Sequence, residues 1–94
     1  MKFWAYMTAN RPNGVIYTGQ THELKDRILK HKTKRYKNSF SERYNVDKLV
    51  WYQEFQTIME ARAMEKKLKA GSRAKKVALI EQMNPEWKDL YDEL

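Results

Sequence analysis

Two short aromatic-rich runs on either side of a turn segment constrain the fold of this chain most. Phe3 to Thr8 and Val15 to Thr18 have the composition of β-strands, and residues 10–14 between them read Asn-Arg-Pro-Asn-Gly. Proline presets φ for a turn, and an Asn-Gly pair tolerates positive φ. The sequence therefore predicts an antiparallel hairpin. Side chains alternate along its first strand, and both faces are apolar enough to be covered.

The remainder of the chain predicts one more strand and three helices. We expect a helix from an N-cap at Thr21 to about Lys32, and then a strand from Leu49 to Phe55. A second helix is expected from Thr57 to Ala70, ended by a left-handed Gly71. A third helix is expected from an N-cap at Ser72 to about Met83.

Two further segments complete the expected architecture. Lys34 to Tyr44 is expected to be irregular or to contain one short turn, and the tail from Trp87 to Leu94 is expected to pack back. The predicted fold is a small single α+β domain over residues 1–94, with a three-stranded antiparallel sheet flanked by helices.

Composition excludes several kinds of protein. The 94 residues suit one compact domain and are too few for a catalytic domain with a separate binding domain. The absence of cysteine removes disulfide scaffolds, thiol nucleophiles and structural zinc clusters. No apolar run exceeds five residues and no leader pattern is present. We therefore expect a cytoplasmic protein that does not interact with membranes.

The net charge of +7 is unevenly distributed along the chain. Lys25 to Lys37 and Arg62 to Lys76 each carry seven basic side chains, whereas residues 77–94 carry a net charge of −4. Two basic stretches favour a polyanionic partner. The alternative is a solvated lysine-rich face, and charge alone does not decide between the two.

A candidate phosphate site lies on the first predicted helix. Arg27 and His31 are one turn apart and share a face with Leu24 and Ile28. An arginine and a histidine in this arrangement could hold a phosphate beside an imidazole that exchanges a proton. The alternative is an arginine that reaches solvent beside a packed histidine.

The second helix places a carboxylate in an apolar stripe. Glu65 lies among Ile58, Ala61, Met64 and Leu68, where an unpaired carboxylate is costly unless it binds a cation. The functional interpretation is a metal ligand or catalytic carboxylate. The structural alternative is an ion pair with Arg27 or Arg62.

The second strand carries a further group of interest. Tyr17 and Gly19 point to the same side, and glycine at that position lets a backbone or a ligand come close. Tyrosines in a small sheet are usually core residues. Two of them beside an arginine, a histidine and a glutamate suggest a site.

These motifs, in this order, resemble the GIY-YIG nuclease superfamily over almost the whole chain. Tyr6 in Trp4-Ala5-Tyr6 matches the tyrosine of the first motif, and Tyr17-Thr18-Gly19 matches the second. Further matches are the Arg-x-x-x-His helix at Arg27 and His31 and the metal-binding glutamate at Glu65. The chain is similar to short free-standing bacterial members, and more distantly to the domains of the excision-repair incision subunit and of homing endonucleases. It departs from the pattern at Trp4-Ala5, Thr18 and Gln20.

The resemblance implies a metal-dependent endonuclease that hydrolyses phosphodiester bonds in nucleic acid, with DNA expected. Glu65 would bind one Mg²⁺ or Mn²⁺, Arg27 would stabilise the phosphate, and Tyr17 or His31 would orient or deprotonate water while Tyr6 hydrogen-bonds nearby. The residues assigned to nucleic-acid binding are Lys34, Arg35, Lys37 and Asn84.

The resemblance also suggests a role in DNA repair. The alternative to an endonuclease is a non-catalytic nucleic-acid-binding module that retains the fold. The interpretation of the chain as a protein-interaction domain has less support, because it leaves the placement of Glu65 unexplained. The sequence leaves open whether the chain binds a protein partner or forms an oligomer.

Overall fold

The three strands form one antiparallel sheet with the N-terminal strand in the middle. In the computed structural model, which describes residues 1–33 and 44–94, β1 covers Phe3–Ala9, β2 covers Ile16–Thr21 and β3 covers Lys48–Phe55. The strand order is β2-β1-β3. The predicted hairpin and the predicted sheet are confirmed, although β2 extends three residues further than expected.

The hairpin turn is closed by side chains as well as by its backbone. Asn10 accepts a hydrogen bond at Oδ1 from the Val15 amide over 2.9 Å, and Asn13 adopts a φ of 57°. Arg73, at the start of the third helix, donates to the carbonyl oxygens of Asn13 and Gly14 over 2.8 and 2.7 Å. One cation of the second basic stretch therefore ties a helix to the turn.

Within the residues that the structure describes, three α-helices and one 3-10 helix accompany the sheet. The α-helices are α1 (Leu24–Lys32), α2 (Ile58–Ala70) and α3 (Arg73–Met83), and the 3-10 helix covers Leu90–Glu93. Ser72 caps α3 as predicted, because its hydroxyl accepts from the amide of Lys75. Thr57, predicted as the first residue of α2, is its N-cap instead and accepts from the amide of Glu60.

Two details of the predicted helix ends are wrong. Thr21 is the last residue of β2, and the residue that precedes α1 is Glu23, whose side chain makes no cap. The Thr21 hydroxyl instead accepts from the Glu23 amide over 3.0 Å. Gly71 ends α2 with a φ of −82° and a ψ of 170°, which is extended and not left-handed.

Each face of the sheet has its own core, as the alternation along β1 predicts. On one face Met7 and Ala9 pack with Leu68 of α2 and Ile80 of α3. On the other face Tyr6 packs with residues of α1 and the 3-10 helix, namely Leu24, Ile28 and Leu90. The sheet is thus covered on both sides.

A bulge in β3 lets two consecutive residues enter the same core. Met7 faces Trp51 across the ladder, but the next residue of β1, Thr8, faces Leu49, which leaves Val50 as the extra residue. Val50 and Trp51 both belong to the core on the α2 side. A bulge disrupts the ladder locally, so the carbonyl of Val50 needs a partner from elsewhere.

Asn84 supplies that partner from inside the fold. Its Nδ2 donates to the carbonyls of Val50 and Lys88 over 3.2 and 2.7 Å, and its Oδ1 accepts from the Lys88 amide over 3.0 Å. The side chain is buried. Asn84 therefore fastens the segment after α3 to the bulge, a role that alternation and spacing do not reveal.

The C-terminal tail packs back as predicted. Trp87 is buried in the core on the α2 side, and Leu90 in the core on the α1 side. Asp89 accepts at Oδ1 from the Leu49 amide over 3.1 Å and at Oδ2 from Lys32. The tail thereby contacts both the end of α1 and the start of β3.

Two further expectations concern the irregular segment and the membrane. The irregular segment predicted from Lys34 to Tyr44 lies almost wholly outside the described residues. Within residues 1–33 and 44–94, no helix has the length and apolar content that crossing a bilayer requires.

Replacing Asn84 with alanine should destabilise the protein by about 1–3 kcal/mol, because the buried carbonyl of Val50 would lose its side-chain donor. Urea denaturation followed by tryptophan fluorescence would measure the change. Gln82→Ala, at an exposed position of α3, is the matched control and should change stability by less than about 0.5 kcal/mol. Equal effects of the two substitutions would show that Asn84 does not hold the bulge.

Candidate active site at the edge of the sheet

Three aromatic side chains from three elements meet on the α1 side of the sheet. The hydroxyl of Tyr6 (β1) and Nε2 of His31 (α1) form a hydrogen bond of 3.0 Å. The ring of Tyr17 (β2) lies with its centroid 5.1 Å from that of His31 and 6.2 Å from that of Tyr6. We call Tyr6, Tyr17 and His31 the aromatic cluster. The sequence predicted all three as site residues, and the structure brings them together.

Gly19 makes room for this cluster. It faces Tyr6 directly across the ladder, and a Cβ at this position would lie 2.6 Å from the Tyr6 hydroxyl and 2.7 Å from the attached ring carbon. Real Cβ atoms do not approach other atoms so closely. The space expected at Gly19 for a backbone or a ligand is therefore taken by the ring of Tyr6.

His31 is held in its neutral form. Burial lowers the pKa of the imidazole, the nearby Arg27 guanidinium lowers it further and the Asp47 carboxylate raises it, with a result of about 4 against the usual 6.5. Only 2% of the residue is exposed. At neutral pH one ring nitrogen therefore carries a hydrogen and the other accepts, which suits a partner that is itself a hydroxyl.

Exposure separates the members of the site. Tyr6 and His31 are buried, whereas Tyr17 and Arg27 are each partly exposed. Arg27 lies one turn before His31 on α1, and its charge reaches the imidazole. Tyr17 and Arg27 are thus the two that a substrate can reach directly from solvent.

Glu65 is half-buried and lies in an ion pair. Its Oε2 is 3.1 Å from Nζ of Lys69 one turn later on α2, and the two side chains are 23% and 56% exposed. The sequence analysis considered Arg27 and Arg62 as partners of Glu65, and Lys69 is the ion-pair partner observed. A carboxylate with this exposure is accessible to a cation, and an i,i+4 pair of this kind contributes little to stability.

A shallow pocket joins α2 to the edge strand β2. Its volume is about 280 Å³, and its lining includes Tyr17, Lys69 and Lys76 beside the strand residues Ile16 and Thr18. Lys69, the partner of Glu65, therefore borders the same pocket as Tyr17. Sequence reasoning counted Lys69 and Lys76 only as part of a basic stretch, because helical spacing alone does not show which lysines face a strand.

The donor set near this pocket fits one hard cation with few protein ligands. Within the described ranges, no three His, Cys, Asp or Glu side chains converge as a protein cage for a metal ion would require. Glu65 offers one carboxylate that is partly open to solvent. Mg²⁺ commonly keeps several waters and takes one or two carboxylates together with substrate phosphates. The residues present fit that kind of ion.

The structure describes only one of the four residues assigned to nucleic-acid binding. Lys34, Arg35 and Lys37 lie outside the described residues. Asn84 is buried, and both hydrogens of its amide are donated to backbone carbonyls, which leaves none for a phosphate. A contact between Asn84 and nucleic acid stays a prediction that this geometry does not favour.

Gly19→Ala should destabilise the protein by about 1–3 kcal/mol, because the new methyl group would force the Tyr6 ring out of its place. Thermal unfolding would measure the loss. Gly71→Ala is a matched control: its φ is −82° and the nearest atom to the added Cβ, the backbone oxygen of Lys67, is 3.3 Å away, so it should change stability by much less than Gly19→Ala does. A Gly19→Ala protein as stable as Gly71→Ala would contradict this packing.

The lowered pKa of His31 should make stability fall in mild acid. The unfolded imidazole binds a proton below about 6.5 and the folded one only below about 4, so stability is lost as pH falls from 6.5 to 4 and the loss then levels off. Between pH 7 and pH 5 the loss from this group is about 2 kcal/mol. Chemical denaturation at several pH values would measure it. In His31→Gln the slope over this range should become shallower, and an unchanged slope would contradict the assignment.

Comparison with known proteins identifies the family of this chain. Residues 2–78 match the family described as the GIY-YIG catalytic domain. The solution NMR structure of a UPF0213 protein from Bacillus halodurans is similar at a TM-score of 0.58 and 26% identity, over 95% of this chain and 93% of that one. A search of curated proteins found no match. The match covers both motif strands, α1 and α2, and the chain belongs to the GIY-YIG family.

Proposed function

We propose that this protein is a metal-dependent endonuclease that hydrolyses phosphodiester bonds in nucleic acid, with DNA as the expected substrate. Membership of the family supports a nuclease-type chemistry. The observation that carries the proposal is the pocket bordered by both Tyr17 and Lys69, since Lys69 pairs with Glu65. A tyrosine and two lysines line this pocket, and one of the lysines pairs with a carboxylate, a set that suits a phosphate and the water that attacks it.

Arg27 and Tyr17 are the groups proposed to act on the substrate. A guanidinium stabilises the charge that develops on phosphate oxygens, and Arg27 is partly exposed on the α1 side of the sheet. The Tyr17 hydroxyl is in reach of solvent beside the pocket and would orient or deprotonate the attacking water.

Tyr6 and His31 are proposed to hold the ring of Tyr17 in position. Their hydrogen bond is buried, and both rings pack against Tyr17. A neutral His31 can accept a proton that passes through the aromatic cluster, although its low pKa makes it a weak base. Tyr17 is therefore the better placed of the two candidate bases, and His31 holds the tyrosines in position.

Glu65 is proposed to hold the divalent cation, Mg²⁺ or Mn²⁺. Such an ion neutralises phosphate charge and lowers the pKa of bound water. For Glu65 to bind it, the Lys69 ammonium has to turn aside, which costs little because that side chain is half-exposed. Lys69 would then be available to a phosphate oxygen at the pocket.

Binding of nucleic acid is proposed to be directed mainly at phosphates. Within the described chain, α2 and α3 carry exposed cations: Arg62, Lys66, Lys67, Lys69 and Lys75. Lys34, Arg35 and Lys37 are proposed to contribute further phosphate contacts. Contacts of this kind release counterions, so affinity depends steeply on salt and little on base sequence.

One observation favours a second candidate, a binding module without catalysis. The carboxylate of Glu65 already has a cationic partner in Lys69 over 3.1 Å. If that pair persists when nucleic acid binds, no carboxylate is left for a metal ion. The protein would then bind nucleic acid and leave the phosphodiester bond intact.

Metal-dependent nicking of labelled DNA separates the two candidates. We expect cleavage with Mg²⁺ or Mn²⁺ and none with EDTA, and a loss of at least about a hundredfold in Glu65→Gln and in Arg27→Ala. Glu65→Gln should change the free energy of unfolding by less than about 1 kcal/mol, because its pair with Lys69 is partly exposed.

The control for this experiment is Glu86→Gln, which removes a carboxylate from an exposed pair with Lys88 and should leave cleavage unchanged. Binding without cleavage under all metal conditions would establish the binding module. Cleavage that survives Glu65→Gln would remove Glu65 from the site.

A further inference from the structure

We infer that a groove between α2 and α3 holds unpaired nucleotides of the bound strand, an inference that rests on the proposed function. The groove has a volume of about 400 Å³. Its apolar floor includes Met64 and Leu68 of α2 and Leu79 of α3, and Gly71 lies at the helix junction. We call this feature the α2/α3 groove.

The rim of the α2/α3 groove is basic. Among the described residues, Lys67, Lys75 and Lys76 line it and no acidic residue does. An apolar floor with a cationic rim matches a ligand that has a flat weakly polar part and an anionic part. A nucleotide has both, since its base offers a π-face and its phosphate a charge.

Lys76 joins this groove to the candidate active site. It lines the α2/α3 groove and also the pocket that contains Tyr17 and Lys69. A nucleic-acid strand with a phosphate at that pocket can therefore continue into the groove, since the same lysine borders both. This continuity favours the bound nucleic acid itself as the occupant over a separate partner.

The apolar floor indicates why the nucleotides must be unpaired. A duplex turns phosphates and sugars outward and keeps its bases stacked, so it can meet the rim but not the floor. An unpaired strand can place base faces on apolar side chains while its phosphates follow the lysines. The groove thus predicts a preference for single-stranded or unpaired segments.

Ala78 allows a test that leaves the cores intact. It lies on α3, is exposed and lines the α2/α3 groove, whereas Ala74 lies one turn earlier on the same helix, is also exposed and does not line the groove. Ala78→Glu puts an anion and added bulk into the groove. Ala74→Glu makes the same change in net charge outside it, and thermal unfolding would check that both variants fold.

The measurement is fluorescence anisotropy with a labelled single-stranded DNA and the matching duplex, in EDTA and at one salt concentration. We expect the wild-type protein to bind the single strand more tightly. Ala78→Glu should weaken single-strand binding roughly tenfold and duplex binding no more than Ala74→Glu does. Single-stranded RNA of the same sequence would show whether the sugar affects binding at the groove.

Three results would overturn the inference. The first is an equal loss for single strand and duplex in Ala78→Glu, and the second is an equal loss in Ala78→Glu and Ala74→Glu. The third is a wild-type dimer in sedimentation that Ala78→Glu dissociates, which would make a second copy the occupant.

A single-strand preference that Ala78→Glu removes, in a protein that never cleaves, would refute the nuclease proposal and leave the groove assignment standing. Absence of nucleic-acid binding would refute both.

Discussion

The contact of the Tyr6 ring with the backbone of Gly19, together with its hydrogen bond to His31, determines how three elements of this domain meet. The ring occupies the space that any larger residue at position 19 would fill, and the hydroxyl lies 3.0 Å from Nε2 of His31. β1, β2 and α1 are therefore positioned by one side chain. Tyr17 packs on the same group, so its orientation depends on this contact.

Local sequence signals were sufficient for the architecture. The hairpin followed from the turn residues, and the cap of α3 followed from Ser72, since these features act over a few residues. The gathering of Tyr6, Tyr17 and His31 was predicted from family motifs. Features that depend on tertiary distance were missed: the pairing of Glu65 with Lys69, the place of Lys76 at two concavities and the bulge at Val50.

The two kinds of charge serve different purposes in this fold. Several acids bind internal groups: Asp89 accepts from the amides of Leu49 and Tyr91, and Glu81 accepts from the indole of Trp87. The cations of α2 are mostly exposed. The excess positive charge therefore acts at the surface, where it attracts polyanions over distances comparable with the Debye length.

The bulge in β3 links two parts of the chain that are far apart in sequence. Val50 has its carbonyl satisfied by Asn84, at a separation of 34 residues. A relative whose third strand lost the extra residue would have no such carbonyl to satisfy, and its asparagine would keep only the two hydrogen bonds to the backbone of Lys88. Across the lineage of this domain, a strand that keeps the insertion should therefore also keep the amide after α3.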